Sequence, residues 1–347
     1  MAHCAGAARS AATARDATLI DEREHEARQL STLGWSSHFG DQVEDAEADL
    51  VPVRIAHIHR DRLGGQSVAG PTDLVLPPNS SSGVYAVGDF VLVEPHSHLV
   101  RRVLERRSLL SRRMDDGRTQ LLGANIDTLF IVTSCNGDFS VPRLERYLAL
   151  AKQASIAPVL ILTKADTAED SARYAREAGT LDPDMPVIVV DPRHADTPAT
   201  LQPWFGPGKT VALIGSSGVG KSTLVNSLAA SSSTVQQTGA TRKDAAGRHT
   251  TTARSLHPVK GGGWVLDSPG IRSLHIDAST EDLGVVFAEV TALATDCKFR
   301  DCTHTHEPGC AVRAALERGE IDPDRFARWR KLSAESAAAA RPRYSRN

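Results

Sequence analysis

The feature that most constrains this chain is an eight-residue loop, Gly215-Ser216-Ser217-Gly218-Val219-Gly220-Lys221-Ser222, lying between the apolar run TVALI and a helical stretch. It matches the pattern G-x-x-x-x-G-K-[ST] throughout, in the strand–loop–helix context its mechanism requires. The glycines let successive backbone N–H groups turn inward around anionic oxygens, and the following helix adds the positive end of its dipole. Lys221 then reaches the β- and γ-phosphates, and the Ser222 hydroxyl takes Mg2+. Thr223 completes the nucleotide-binding set on this loop.

The surrounding pattern supplies the domain that such a loop needs. Continuous apolar runs at 128–133 (TLFIVT), 158–162 (PVLIL), 185–190 (MPVIVV) and 263–266 (GWVL) read as buried parallel strands. Residues 142–154 place Leu144, Tyr147, Leu148 and Ala151 on one helical face. Strands alternating with helices predict a doubly wound α/β domain. Directly after GWVL comes Asp267-Ser268-Pro269-Gly270. Asp267 at a strand end suits a water-mediated Mg2+ ligand, and the Gly270 N–H can sense a γ-phosphate. Between loop and D-x-x-G lies Gly247-Arg248-His249-Thr250-Thr251-Thr252. One of these threonines, assigned as Thr251, is expected to cap Mg2+ and close over the γ-phosphate as a switch.

The base-reading element sits in an unusual place. Thr163-Lys164-Ala165-Asp166 ends the run PVLIL, about fifty residues before the phosphate loop. A carboxylate at Asp166 can accept from N1–H and the 2-amino group of guanine, and adenine offers neither. The Lys164 stem can lie over the ring. Thr163 stands where many GTPases have Asn. The order is base reader, phosphate loop, threonine switch, D-x-x-G, a circular permutation of the usual one. Permutation is tolerated because domain termini lie at the surface and often close together. A second base loop is expected near residues 189–191, but VVD lacks the usual Ser-Ala and no residue is assigned there.

The flanks differ in character. Residues 1–50 hold ten acidic and four basic side chains, and 30–43 carry enough apolar and aromatic residues to dock somewhere. From 50 to about 111, alternation at Val51, Val53 and Ile55, the runs 84–87 and 90–93, and Gly/Pro turns predict short strands forming a small β-barrel. Arg101, Arg102, Arg106, Arg107, Arg112 and Arg113 oppose only Glu105, a local balance of +5. The expected divisions are 1–49, 50–113, 114–285 and 286–347. Net charge is −2 over 347 residues, so a nucleic-acid surface must be local, here the arginine stretch and the basic end of 311–347. No stretch of about 18 apolar residues predicts a membrane span. The N-terminus lacks a secretory apolar segment, so the cytoplasm is the expected compartment.

Cys297, Cys302, His304 and Cys310 form C-x4-C-x-H-x5-C. Three thiolates and an imidazole make a closed tetrahedral set, the donor chemistry of one structural Zn2+. The polar neighbours Lys298, Arg300, Asp301 and Glu307 argue against burial of the cysteines, and His306 competes as the fourth ligand by proximity.

The succession TKAD, GSSGVGKST, GRHTTT, DSPGI and then a Cys/His cluster resembles the RsgA family, the ribosome-small-subunit-dependent GTPases. LGWSSHF, RRSLLSRR and GANIDTLFIVTS resemble it too, so the likeness spans about residues 30–330. The resemblance implies a multidomain chain: an OB-like β-barrel that binds RNA, a circularly permuted α/β P-loop GTPase domain, and a C-terminal helical zinc-binding domain. It favours His304 over His306. It also implies GTP hydrolysis to GDP and phosphate, slow alone and stimulated by the small (30S) ribosomal subunit and its rRNA, with hydrolysis coupled to release late in maturation. A monomer is expected. Ile271 follows D-x-x-G where Ras-type enzymes place Gln, which leaves His249 as the nearby water-positioning candidate. Two other readings stand beside this one: a GTPase switch with a zinc adaptor acting on another RNA or protein, and a nucleotide-dependent binding module without turnover.

Overall fold

The computed structural model describes residues 24–59, 62–114, 118–230, 254–267, 284 and 286–339. Five strands build the first unit: β1 (Val51–His59), β2 (Arg62–Ser67), β3 (Gly70–Leu74), β4 (Phe90–Val93) and β5 (Val100–Val103). β1 pairs antiparallel with β2 and β4, β2 with β3, and β4 with β5. A parallel bridge between Val75 and Leu99 closes the ring in the order β1-β2-β3-β5-β4. That is the topology of an OB-type barrel. Val53, Ile55, Leu63, Val91, Val93 and Val100 are all buried in it.

The other faces of β1 and β4 are covered as well. Phe90 and Leu92 cluster with Leu33, Phe39 and Leu104. Trp35 meets Phe90 edge-on at 5.2 Å, and the Trp264 indole donates to the Thr32 carbonyl at 2.9 Å. The expected docking of 30–43 is thus onto the barrel, and it explains why β4 reads as the unbroken apolar run FVLV. Arg54, between Val53 and Ile55 on β1, is 1% exposed. Its guanidinium donates to the Leu33 carbonyl at 2.6 Å and to Thr210 Oγ1 at 2.7 Å, joining the N-terminal segment, the barrel and the α/β unit. Burial lowers its pKa to about 10, so it stays charged at neutral pH.

Two expectations need correction. Residues 84–87 are not a strand: a 3-10 turn, Ser82–Val84, leads into a buried irregular stretch. The chain must turn at Gly88, which sits at φ 95° with the Ala124 carbonyl oxygen 2.2 Å from where a Cβ would stand. Asp89 fixes that turn by accepting from the Ala86 N–H at 2.8 Å. The arginine stretch is also less available than its charge implies. Arg106 forks onto buried Asp89 through two contacts of 2.7 Å, Arg102 pairs with Glu47, Arg101 with Glu94, and Arg107 reaches Asp127 at 3.5 Å. A hairpin of β6 (Leu109–Arg113) and β7 (Thr119–Ala124) follows, so a division after residue 113 falls between two paired strands.

The α/β unit contains the expected parallel strands β8 (Thr128–Ser134), β9 (Ala157–Thr163), β10 (Val187–Val189), β11 (Thr210–Ile214) and β13 (Trp264–Asp267). Their order is β10-β9-β8-β11-β13. An unexpected strand, β12 (Arg254–Pro258), runs antiparallel to β13. It also pairs with β1 through His57–Ser255 and Ile58–Arg254, so barrel and α/β unit share one sheet.

The C-terminal part is helical, with Ala288–Ala294, Ala311–Glu317 and Pro323–Ala339 burying Val290, Val312, Ala315, Ile321 and Phe326. It is tied back to the α/β unit by Glu145, fully buried on helix Val141–Gln153, which accepts from Arg328 at 2.9 Å with Arg325 at 3.9 Å.

Candidate nucleotide site and metal centre

The carboxyl ends of β9, β10, β11 and β13 lie on one edge of the parallel sheet, where ligands of such sheets bind. The phosphate loop leaves β11 there. Gly215 has φ 149°, and a Cβ on it would stand 2.1 Å from the Val132 carbonyl oxygen, so only glycine fits. Gly220, in the left-handed region at φ 99°, caps the helix Lys221–Leu228. Lys221 is 6% exposed, and its ammonium donates to the loop's own carbonyls, Gly215 at 2.7 Å and Ser216. The loop thus curls around the Lys221 ammonium, which lies inside it. Ser217 and Gly218 are exposed at its tip, and Ser222 and Thr223 are half-buried at the helix start.

The Thr163–Asp166 segment is brought against this loop. Thr163 is fully buried, and its hydroxyl donates to the Val219 carbonyl at 2.7 Å. It braces the phosphate loop from behind and forms the rear of the pocket. Lys164 adopts φ 56°, which turns the chain sharply and presents Asp166 on a 3-10 turn, Ala165–Thr167. A pocket of about 190 Å³ is lined by Thr163, Lys164, Asp166, Val219, Gly220 and Thr223, together with Asp191, Pro192 and Arg193. Six residues of two motifs separated in sequence by more than fifty positions thus share one cavity.

The second base loop expected near 189–191 does line the pocket through Asp191, but sequence reasoning assigned no residue there and missed Arg193. Arg193 donates to Asp166 Oδ2 at 2.9 Å and forks onto Asp191 through Nε at 2.9 Å and Nη2 at 2.7 Å. The fork holds the Asp191 carboxyl down at about 2 and raises the Arg193 guanidinium further above its usual range. Arg143, from the start of its helix, donates to Ser216 Oγ at 2.5 Å and was not foreseen either. The available signal was positional: 191–193 directly follow a strand of the same parallel sheet.

Asp267 ends β13, which runs in parallel register with β11 through Ala212–Leu266, so it reaches the same edge as Ser222. His249, Thr251 and Gly270 lie outside the described residues.

Cys297, Cys302, His304 and Cys310 converge, with all four donor atoms within 4.8 Å of one another. Cys297 Sγ lies 3.9 Å from Cys310 Sγ and 3.5 Å from His304 Nδ1, and His304 Nδ1 lies 3.4 Å from Cys310 Sγ. A Zn2+ tetrahedron with bonds of about 2.3 Å to sulfur and about 2.0 Å to nitrogen has edges of about 3.8 Å and about 3.5 Å. The donor set therefore fits one metal ion. His304 takes φ 58° to turn inward and packs 5.4 Å from the Trp329 ring, whereas His306 is exposed. Polar neighbours do not keep the cluster open, since His304 and Cys310 are buried. Glu307 faces the other way and accepts from the Thr303, Thr305 and His306 amides, which clamp the ligand loop.

A family model described as RsgA GTPase matches residues 103–277. The chain is 60% identical over 310 residues to a Mesorhizobium japonicum protein named small ribosomal subunit biogenesis GTPase RsgA, covering 88% of this chain and 90% of that one. It is 41% identical over 313 residues to the Vibrio vulnificus small ribosomal subunit biogenesis GTPase RsgA 2, covering 89% and 88%. Among solved structures, YjeQ from Thermotoga maritima superposes with a TM-score of 0.64 at 26% identity, covering 84% of this chain and all of that one. YloQ, described as a circularly permuted GTPase, gives 0.61 at 24% identity over 87% and 99%, which shows a shared fold.

Proposed function

This chain belongs to the RsgA GTPase family, and on that premise we propose that it hydrolyses GTP during late maturation of the small ribosomal subunit, in the cytoplasm. One observation carries the nucleotide assignment: Asp166 and the phosphate loop, placed far apart in the chain, line one pocket and are joined by the Thr163–Val219 hydrogen bond. In this reading Asp166 takes the guanine edge, Lys164 covers the ring, and the Gly215–Ser222 backbone with Lys221 holds the phosphates. Mg2+ would sit on Ser222 and, through water, Asp267. His249 and Thr251 remain the assignments for water positioning and switching. Cys297, Cys302, His304 and Cys310 would hold a structural Zn2+, which supplies folding energy to the helical C-terminal part and takes no part in the reaction.

The names of the relatives support the ribosomal partner, and the OB-type barrel supports an RNA contact through its surface. GTP is held while the protein is docked on the subunit and its rRNA, and hydrolysis to GDP accompanies release. The test is GTP turnover measured with purified small subunits, with large subunits and alone, using ATP as control. Stimulation by small subunits only is the expected result. Equal rates in all three, or turnover of ATP as fast as GTP, would reject the reading.

A further inference from the structure

We propose that Arg193 is a specificity-determining residue that reads the O6 edge of guanine from beside Asp166. The inference deepens the guanine-site reading above and rests on it. This chain lacks a Ser-Ala loop after β10, so another donor has to meet the carbonyl at the purine 6-position. Arg193 lines the pocket beside Asp166. Its Nε and Nη2 are pinned by Asp191 at 2.9 Å and 2.7 Å, and Nη2 also touches Asp166 at 2.9 Å. Among the described residues no partner is recorded for Nη1, so a positioned donor remains for a ligand.

The chemistry divides in two. Asp166 offers acceptors and suits N1–H and the 2-amino group. Arg193 offers donors and suits O6 and N7, the acceptors that guanidinium groups read on guanine elsewhere. Adenine reverses the 6-position, presenting an amino group to a donor, so the pair rejects it from both sides. Because two carboxylates hold the guanidinium before ligand arrives, little side-chain entropy is lost on binding.

The experiment titrates the full chain and its Arg193→Ala variant with GDP, 6-thio-GDP, IDP and ADP. In 6-thio-GDP the oxygen acceptor becomes a poor sulfur one, and IDP keeps O6 but lacks the 2-amino group that Asp166 reads. Wild type should prefer GDP to 6-thio-GDP. The variant should bind GDP about tenfold or more weakly, lose most of that preference, and keep its preference for GDP over IDP. Arg193→Lys, with one mobile donor, should fall between. If the variant keeps the 6-thio discrimination, or weakens GDP, 6-thio-GDP and IDP equally, the assignment to O6 is overturned and Arg193 is a structural brace. If wild type binds ADP as tightly as GDP, the guanine-site reading itself fails, a different outcome from either.

Discussion

The Thr163 hydroxyl donates to the Val219 carbonyl at 2.7 Å, so the Thr163–Asp166 turn and the Gly215–Ser222 loop are one mechanical piece. The bond lies in a fully buried place, with both residues at 0% exposure. Thr163→Val keeps the shape and removes the donor, leaving a buried carbonyl without it. The variant should lose about 1–3 kcal/mol of stability and bind GDP and GTP more weakly by a similar factor. Chemical denaturation and nucleotide titration check this, and unchanged values in both would disconnect the two loops.

Gly215→Ala should be worse for binding than for folding. Its Cβ would stand 2.1 Å from the Val132 carbonyl oxygen, and φ 149° disfavours any side chain. Backbone of the phosphate loop has to move away from β8, and donors displaced by even an ångström miss the phosphate. Loss of measurable GDP binding with a melting temperature lowered by a few degrees is expected. Lys221→Ala should abolish binding or turnover while removing an internal contact to the same loop.

Arg328→Ala should separate the C-terminal helices from the α/β unit energetically. It strips the 2.9 Å partner from Glu145, which is fully buried and whose pKa burial already raises. Breaking a buried pair from one side costs about 3–5 kcal/mol. A carboxyl with a raised folded-state pKa favours protonation on folding, so the deficit should shrink as pH falls toward the ordinary carboxylate range. Melting curves of wild type and variant across that range read it, and Glu145→Gln combined with Arg328→Ala should recover part of the loss.

Asp191 gives a second pH signature of opposite sign. Arg193 holds its pKa at about 2, below the ordinary 3.8. A carboxylate depressed on folding contributes above its unfolded value and loses that contribution as pH falls through the folded one. The fork is therefore intact above 3.8 and lost as pH approaches 2. Arg193→Ala should return the Asp191 midpoint to near 3.8, followed by carboxyl-carbon NMR. A midpoint that stays low would assign the depression to another group.

Metal analysis of the purified chain should find one zinc ion per molecule. Cys310→Ser and His304→Ala should lose it and lower the melting temperature. His306→Ala should keep it, because that ring faces solvent.

Legibility followed the physics of each element. The parallel strands β8, β9, β11 and β13 were visible because strands buried on both faces must be continuously apolar, and TVALI coincides with β11 residue for residue. β12 was invisible: RSLHP carries one buried apolar residue, Leu256, and its pairing with β1 is decided by distant chain. The burial of Arg54 could not be read from the sequence, because alternation identifies the face of a strand and says nothing about what later covers it. The motif residues of the pocket could be read individually, since each must be of a given chemical type. The loop holding Asp191 could be placed but its residues not assigned, and Arg193 was missed, since a salt bridge across loops leaves no periodic trace.

The His57–Ser255 pairing has a further consequence. β12 emerges directly from the threonine-bearing segment and is stitched on one side to β13, which ends at Asp267, and on the other to the barrel's first strand. Any twist or slide of the barrel must strain ladder bonds that run on to the strand ending at Asp267. This backbone link stands beside the Arg54–Thr210 side-chain contact, and side-chain substitutions on β12 should leave it standing where a proline at Ser255 would cut it.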